Sequence, residues 1–98
     1  MYSMDQLVTV LNAEKACELR FSAGKPPVVV LEDWEFPLQS PPLLAEEVTQ
    51  LLRSIANSRR MRELQRRRKV QFVFTIQGRM PVLVRAQMDD GNITFDIS

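Results

Sequence analysis

The sequence predicts an α+β fold: one mostly antiparallel sheet of about five to six strands with helices packed on one face, in the order α-β-β-β-α-α-β-β-β. Three observations carry this reading. Apolar residues recur at helical spacing in a segment near the N-terminus and again in mid-chain. Period-two alternation appears on either side of the mid-chain helices. A sheet of that kind has one apolar side to cover, and the helices are the only available cover.

Met4, Leu7, Val8 and Leu11 stand at i, i+3, i+4 and i+7, so residues 4 to about 15 read as an amphipathic helix. Leu19 and Phe21 alternate with Glu18, Arg20 and Ser22 in a strand that Ala23-Gly24-Lys25-Pro26-Pro27 ends as a turn. Val28-Val29-Val30-Leu31 is a β-branched apolar run, and with Glu32-Asp33 as a turn before Trp34-Glu35-Phe36 it predicts a hairpin over 28–38. Gln39-Ser40-Pro41-Pro42 is a stiff connector. Leu44, Val48, Leu51, Leu52 and Ile55 mark a second helix that lacks a polar cap but has Glu46 and Glu47 in its first turn, at the positive end of the helix dipole. Asn57-Ser58 then caps a third helix from about Arg59 to Arg68, with Met61, Leu64 and the stem of Arg68 on its inner face. Val70, Phe72, Phe74 and Ile76 alternate in a strand closed by Gly78, and Val82, Val84 and Ala86 alternate in the next. Asp89-Asp90-Gly91-Asn92 turns the chain into a last strand carrying Ile93, Phe95 and Ile97.

A length of 98 residues predicts one domain, 1–98, and the 45% hydrophobic content is enough for an ordinary core without a covalent staple. Cys17 has no partner for a disulfide, which suggests a reducing compartment; the residue itself reads as a small buried hydrophobe beside Leu19. The N-terminus lacks the basic and apolar regions of a secretory signal, and no apolar run approaches a membrane span of about 20 residues, so the expected location is cytoplasmic.

The chain has no histidine, one cysteine and only three widely spaced glycines. Those facts remove the commonest general base, any Cys/His metal or protease pairing, and any phosphate-cradling Gly-rich loop. The pairs Glu32-Asp33, Glu46-Glu47 and Asp89-Asp90 are explained by turns and a helix start rather than acid–base chemistry. No catalytic, metal or cofactor site is expected. Trp34 reads first as a core or sheet-face residue, with an interface anchor as the second reading.

The one functional candidate is a charge block. Net charge is +1, yet Arg59, Arg60, Arg62, Arg66, Arg67, Arg68 and Lys69 hold more than half of the 13 basic residues. Helical spacing places 59, 62 and 66 on one flank and 60 and 67 on the next. The plainest reading is a solvated face whose stems cover the core edge. The functional reading is a docking surface for an acidic protein patch, with Arg59, Arg62, Arg66, Arg67, Arg68 and Lys69 as candidate contacts. Nucleic acid or acidic lipid is a lesser reading; against nucleic acid stand the few aromatic residues near the block and the absence of a helix-turn-helix, zinc or RNA-sheet signature.

Several residues in order and spacing resemble one family. The first helix followed by Ala16-Cys17-Glu18-Leu19-Arg20-Phe21-Ser22-Ala23-Gly24-Lys25-Pro26-Pro27 resembles the opening of the PilT-like type IV pilus retraction ATPases, where a helix leads into Gly-Ala-Ser-Asp-Leu-His-Leu-Ser-Ala-Gly-x-Pro-Pro. Pro37-Leu38, Pro41-Pro42-Leu43, Glu46, Val48, Leu51-Leu52, Ser54-Ile55, Asn57, Phe72, Phe74 and Gly78 continue the match over essentially the whole chain. The resemblance implies the small N-terminal, PAS-like domain of those enzymes: an antiparallel sheet with helices against it that packs on neighbouring subunits of a hexameric ring, without the motor. The family powers pilus retraction and twitching motility, and relatives serve pilus extension and type II secretion.

The departures concern charge. The family's Asp-Leu-His stands as Glu18-Leu19-Arg20, and its acidic stretch as Gln65-Arg66-Arg67-Arg68-Lys69. Its Arg-Phe-Arg strand, whose arginines face the motor, stands as Pro81-Val82-Leu83, with Arg79 or Arg85 as possible equivalents. The expectation is therefore a non-catalytic interaction or regulatory module of a pilus or secretion ATPase machine. It would act through the arginine helix and the sheet edges, and self-association through an edge is a further possibility. The alternatives are an N-terminal fragment of, or partner chain for, a hexameric pilus ATPase, and a PAS-like small-ligand sensor.

Overall fold

The computed structural model describes residues 3–13, 15–75, 78 and 80–98. In chain order the elements are α1 (Met4–Ala13), β1 (Glu18–Phe21), β2 (Val28–Val30), β3 (Glu35–Pro37), α2 (Ala45–Arg53), α3 (Ser58–Arg67), β4 (Lys69–Phe74), β5 (Val82–Asp89) and β6 (Asn92–Ile97). All six strands form one antiparallel sheet in the order β3-β2-β1-β6-β5-β4. It is built from two three-stranded meanders. They meet where the last strand pairs with the first, Leu19 opposite Ile97 and Phe21 opposite Phe95, and the two phenylalanine rings stack at 4.5 Å across that seam.

Alternation decides which side of the sheet is covered. Leu19, Phe21, Val29, Val70, Phe72, Val84, Ala86, Ile93, Phe95 and Ile97 are buried, and they form one core with Met4, Leu7, Val8 and Leu11 of α1, Val48, Leu51 and Leu52 of α2, and Leu64 of α3. No charged or polar side chain of the described residues is buried with them. The fold is the α+β arrangement expected, in the expected element order.

Local chemistry sets the joints. Asp90 and Gly91 both have positive φ, 52° and 80°, the backbone that a two-residue hairpin between right-twisted strands requires. Gly24 has φ 85°, and its N–H donates to the Leu43 carbonyl at 2.8 Å while the Leu43 N–H donates to Lys25 O at 2.9 Å. The turn after β1 is thereby pinned to the Pro41-Pro42-Leu43 connector, and Pro27 and Leu43 are buried where the two meet. Asn57 caps α3 as expected, its Oδ1 accepting from the Arg60 N–H at 2.9 Å. At α2 the Glu47 carboxylate reaches back to accept from the Leu44 N–H at 2.9 Å, which serves the end that has no polar cap.

Several expectations need correction. Cys17 is exposed rather than a buried hydrophobe: the chain bends there, β1 begins only at Glu18, and the inward alternation of Leu19 and Phe21 does not extend back to it. Trp34 is 60% exposed instead of sitting in the core, because it lies in the connection ahead of β3 and only leans on Phe36, ring centres 5.0 Å apart. Arg68 does not lay its stem on the inner face of α3. It is the exposed C-cap, with φ 68° in the left-handed region. The first helix ends at Ala13, short of residue 15. Ile76 and Arg79 lie outside the described residues.

Candidate protein-binding face

α3 runs straight into β4, and Arg68 holds the junction. Its N–H donates to Leu64 O at 2.8 Å, closing the helix, and its carbonyl accepts from the Met88 N–H of β5 at 2.8 Å, continuing the sheet. The C-terminal end of the arginine block is therefore tied to one end of the sheet. Arg59, Arg62, Arg66, Arg67, Arg68 and Lys69 are all exposed, whereas Arg60 is half-buried with its guanidinium 4.4 Å above the Phe72 ring. Arg67 lies 4.0 Å from Glu63, one turn back. Among the described residues no ion pair joins Arg59, Arg62, Arg66, Arg68 or Lys69 to a carboxylate.

The uncovered side of the sheet carries a second charged array. Glu18 on β1 accepts hydrogen bonds from Arg20 Nε and from Arg85 Nη2 of β5, the latter at 3.3 Å. Arg20 Nη1 reaches Glu35 on β3 at 3.1 Å, and Arg85 Nε reaches Asp96 on β6 at 3.1 Å. The Arg20 guanidinium is held above its ordinary pKa by the hydrogen bond it donates to Glu18 and by that carboxylate's charge; desolvation opposes this, and Glu35 and Asp96 add to it. A groove of about 870 Å³ lies over this array, bounded also by Gln71, Gln87 and Thr94 and reaching Glu63, Arg67 and Lys69. Because Arg20 and Arg85 are already neutralised by carboxylates, the groove floor offers an incoming anion little net attraction. Among the described residues no group of His, Cys, Asp and Glu is arranged to hold a metal ion.

Sequence reasoning missed this ladder, although part of it was within reach. With Asp90-Gly91 as a two-residue turn, counting outward places Arg85 opposite Asp96, as observed. The contribution of Glu18 depends on β6 pairing with β1, which no local pattern specifies. Arg85, weighed as a counterpart of the family's motor-facing arginines, is engaged within this sheet.

The two sheet edges differ. Leu38 N–H donates to Pro27 O and Leu31 N–H to Trp34 O, so the backbone groups of Phe36 face β2 and those of Glu35 and Pro37 face out. Pro37 has no N–H to offer, and this edge is three residues long. On the opposite edge the Met88 N–H to Arg68 O bond sets the alternation. Val70, Phe72 and Phe74 bond to β5, and the N–H and C=O groups of Lys69, Gln71 and Val73 point away from the sheet. That edge runs for six residues without a proline, and Val73 on it is 58% exposed.

No known family model matches the chain, and no curated protein does. Solved structures do. The pilus retraction motor PilT, crystallised with ADP, superposes with a TM-score of 0.89 at 18% identity, over 99% of this chain and 29% of that one. The ATPase DotB of Legionella pneumophila gives 0.80 at 14% identity, over 98% and 28%. The chain thus has the fold of part of a PilT-type ATPase, as the sequence resemblance implied, and spans less than a third of the length of either protein.

Proposed function

We propose that this chain is a non-catalytic protein-interaction or regulatory module of a type IV pilus or related secretion ATPase machine, acting as a single cytoplasmic domain. The observation that carries the reading is the likeness of its whole length to under a third of a pilus motor. The residues in hand supply no phosphate-cradling loop for nucleotide hydrolysis, so the activity is binding. The contact surface is the block Arg59, Arg62, Arg66, Arg67, Arg68 and Lys69, a cluster of exposed cations beside an open sheet edge, and its partner is acidic.

Co-precipitation with the tagged chain from cells that assemble such machines tests this. A pilus-motor or secretion component should be recovered, and the Arg66→Glu/Arg67→Glu/Arg68→Glu variant should lose it. Recovery of no such component, or recovery unchanged by the variant, overturns the reading.

The partial coverage of PilT and DotB favours a second reading, in which these residues are the N-terminal domain of a longer hexameric ATPase or serve a motor on another chain. Sequencing the reading frame past Ser98 separates the two. A Gly-Lys-Ser/Thr loop downstream would make this an ATPase domain.

A further inference from the structure

We infer that the β4 edge is a strand-addition site for an acidic, extended segment of a partner protein. This deepens the function proposed above and rests on it.

Among the described residues nothing pairs with the outward backbone groups of Lys69, Gln71 and Val73, and β4, six residues long, has neither the proline nor the bulge that would block an added strand; the lysine on this edge discourages a basic strand and favours an acidic one. The opposite edge, by contrast, is closed by its shortness and Pro37. An added strand would place alternate side chains beside Lys69, Gln71 and Val73 on the uncovered face. Lys69 has no ion-pair partner among the described residues, and Arg66, Arg67 and Arg68 precede it directly. Glutamates or aspartates in the half of the segment beside Lys69 would meet this cluster, and a β-branched residue would cover the exposed flank of Val73.

The same charges argue against a second copy of this chain as the occupant. Two β4 strands paired about a two-fold axis would form one continuous sheet with both α3 helices on its covered side. The two arginine blocks would then lie next to each other, a like-charge juxtaposition that opposes association.

The probe is a capped peptide of about nine residues, long enough for a strand, with glutamates at alternate positions in the half that meets Lys69 and valine or threonine at the remaining positions. It is titrated into the full chain and followed by calorimetry and by amide chemical shifts. The expected result is binding that perturbs the amides of Lys69, Gln71 and Val73. Replacing the peptide's glutamates by lysine should weaken binding about tenfold or more, and so should N-methylating alternate peptide amides. Gln71→Pro removes an outward N–H and no bond to β5, so this variant should keep its fold by circular dichroism and lose the peptide. If Gln71→Pro unfolds, the N-methylated peptide against the unaltered chain decides alone. Absence of binding, equal binding of the lysine or N-methylated peptide, or shifts centred away from β4 overturns the inference. So does a dimer in sedimentation that Gln71→Pro abolishes, which would assign the edge to a second copy. No pilus or secretion component enters this test, so its failure leaves the proposed association to its own co-precipitation, and the reverse holds equally.

Discussion

At the scale of single residues, the most informative one is Arg68. A non-glycine residue at φ 68° sits in a region that costs an L side chain about 1–2 kcal/mol, and glycine is the usual residue at that position of a helix end. Its side chain is exposed, so nothing in the core depends on it. Arg68→Gly should therefore raise stability by about 0.5–1 kcal/mol, the conformational relief being partly offset by the flexibility that glycine adds to the unfolded chain. Urea unfolding midpoints measure it, and a destabilised variant would contradict the strain. Arg20 behaves differently. Its pKa is raised in the folded state, so the stability it contributes is complete below its unfolded pKa and is lost only in strong alkali.

At the scale of elements, α3 is the least secured of the three helices. Its one fully buried side chain is Leu64, with Met61 half-buried beside it, and the rest of its length is mostly arginine, glutamate and glutamine. Leu64→Ala should cost about 2–4 kcal/mol, since truncation removes both transfer energy and packing. Amide hydrogen exchange should show α3 losing protection before the β5–β6 pair does. Equal protection loss in both would mean that α3 does not open as a separate unit. The consequence reaches the proposed surface, because the arginines are presented by a helix whose position depends on one leucine, the Asn57 cap and the Arg68 junction.

At the scale of the whole molecule, one core joins both meanders and all three helices. The β1–β6 seam makes the first and last elements mutually dependent, so thermal or urea unfolding should be a single transition by far-ultraviolet circular dichroism. Trp34 is 60% exposed, so its emission should already resemble solvated indole in the folded state and shift little on unfolding. A strongly blue-shifted native emission would place that ring in a buried setting and contradict the geometry.

Sequence alone determined the fold class, the element order, the Asn57 cap, the Asp90-Gly91 turn and the exposed arginine block. Each of these follows from interactions within a few residues: periodicity, a side chain bonding its own helix end, a turn that needs positive φ. Only the tertiary structure decided what those elements do together. That β6 lies between β1 and β5 is a pairing across almost the full chain, and it brings Glu18 to Arg85. That β4 is an edge and β1 is not depends on this same insertion. Cys17 and Trp34 were misjudged for a related reason, since a residue type's preference for burial gives way to where the chain happens to bend. The order α-β-β-β-α-α-β-β-β, legible from the start, is compatible with more than one strand arrangement. The one adopted leaves the basic helix beside the open edge, and that placement, rather than the arginines by themselves, makes the surface a candidate site.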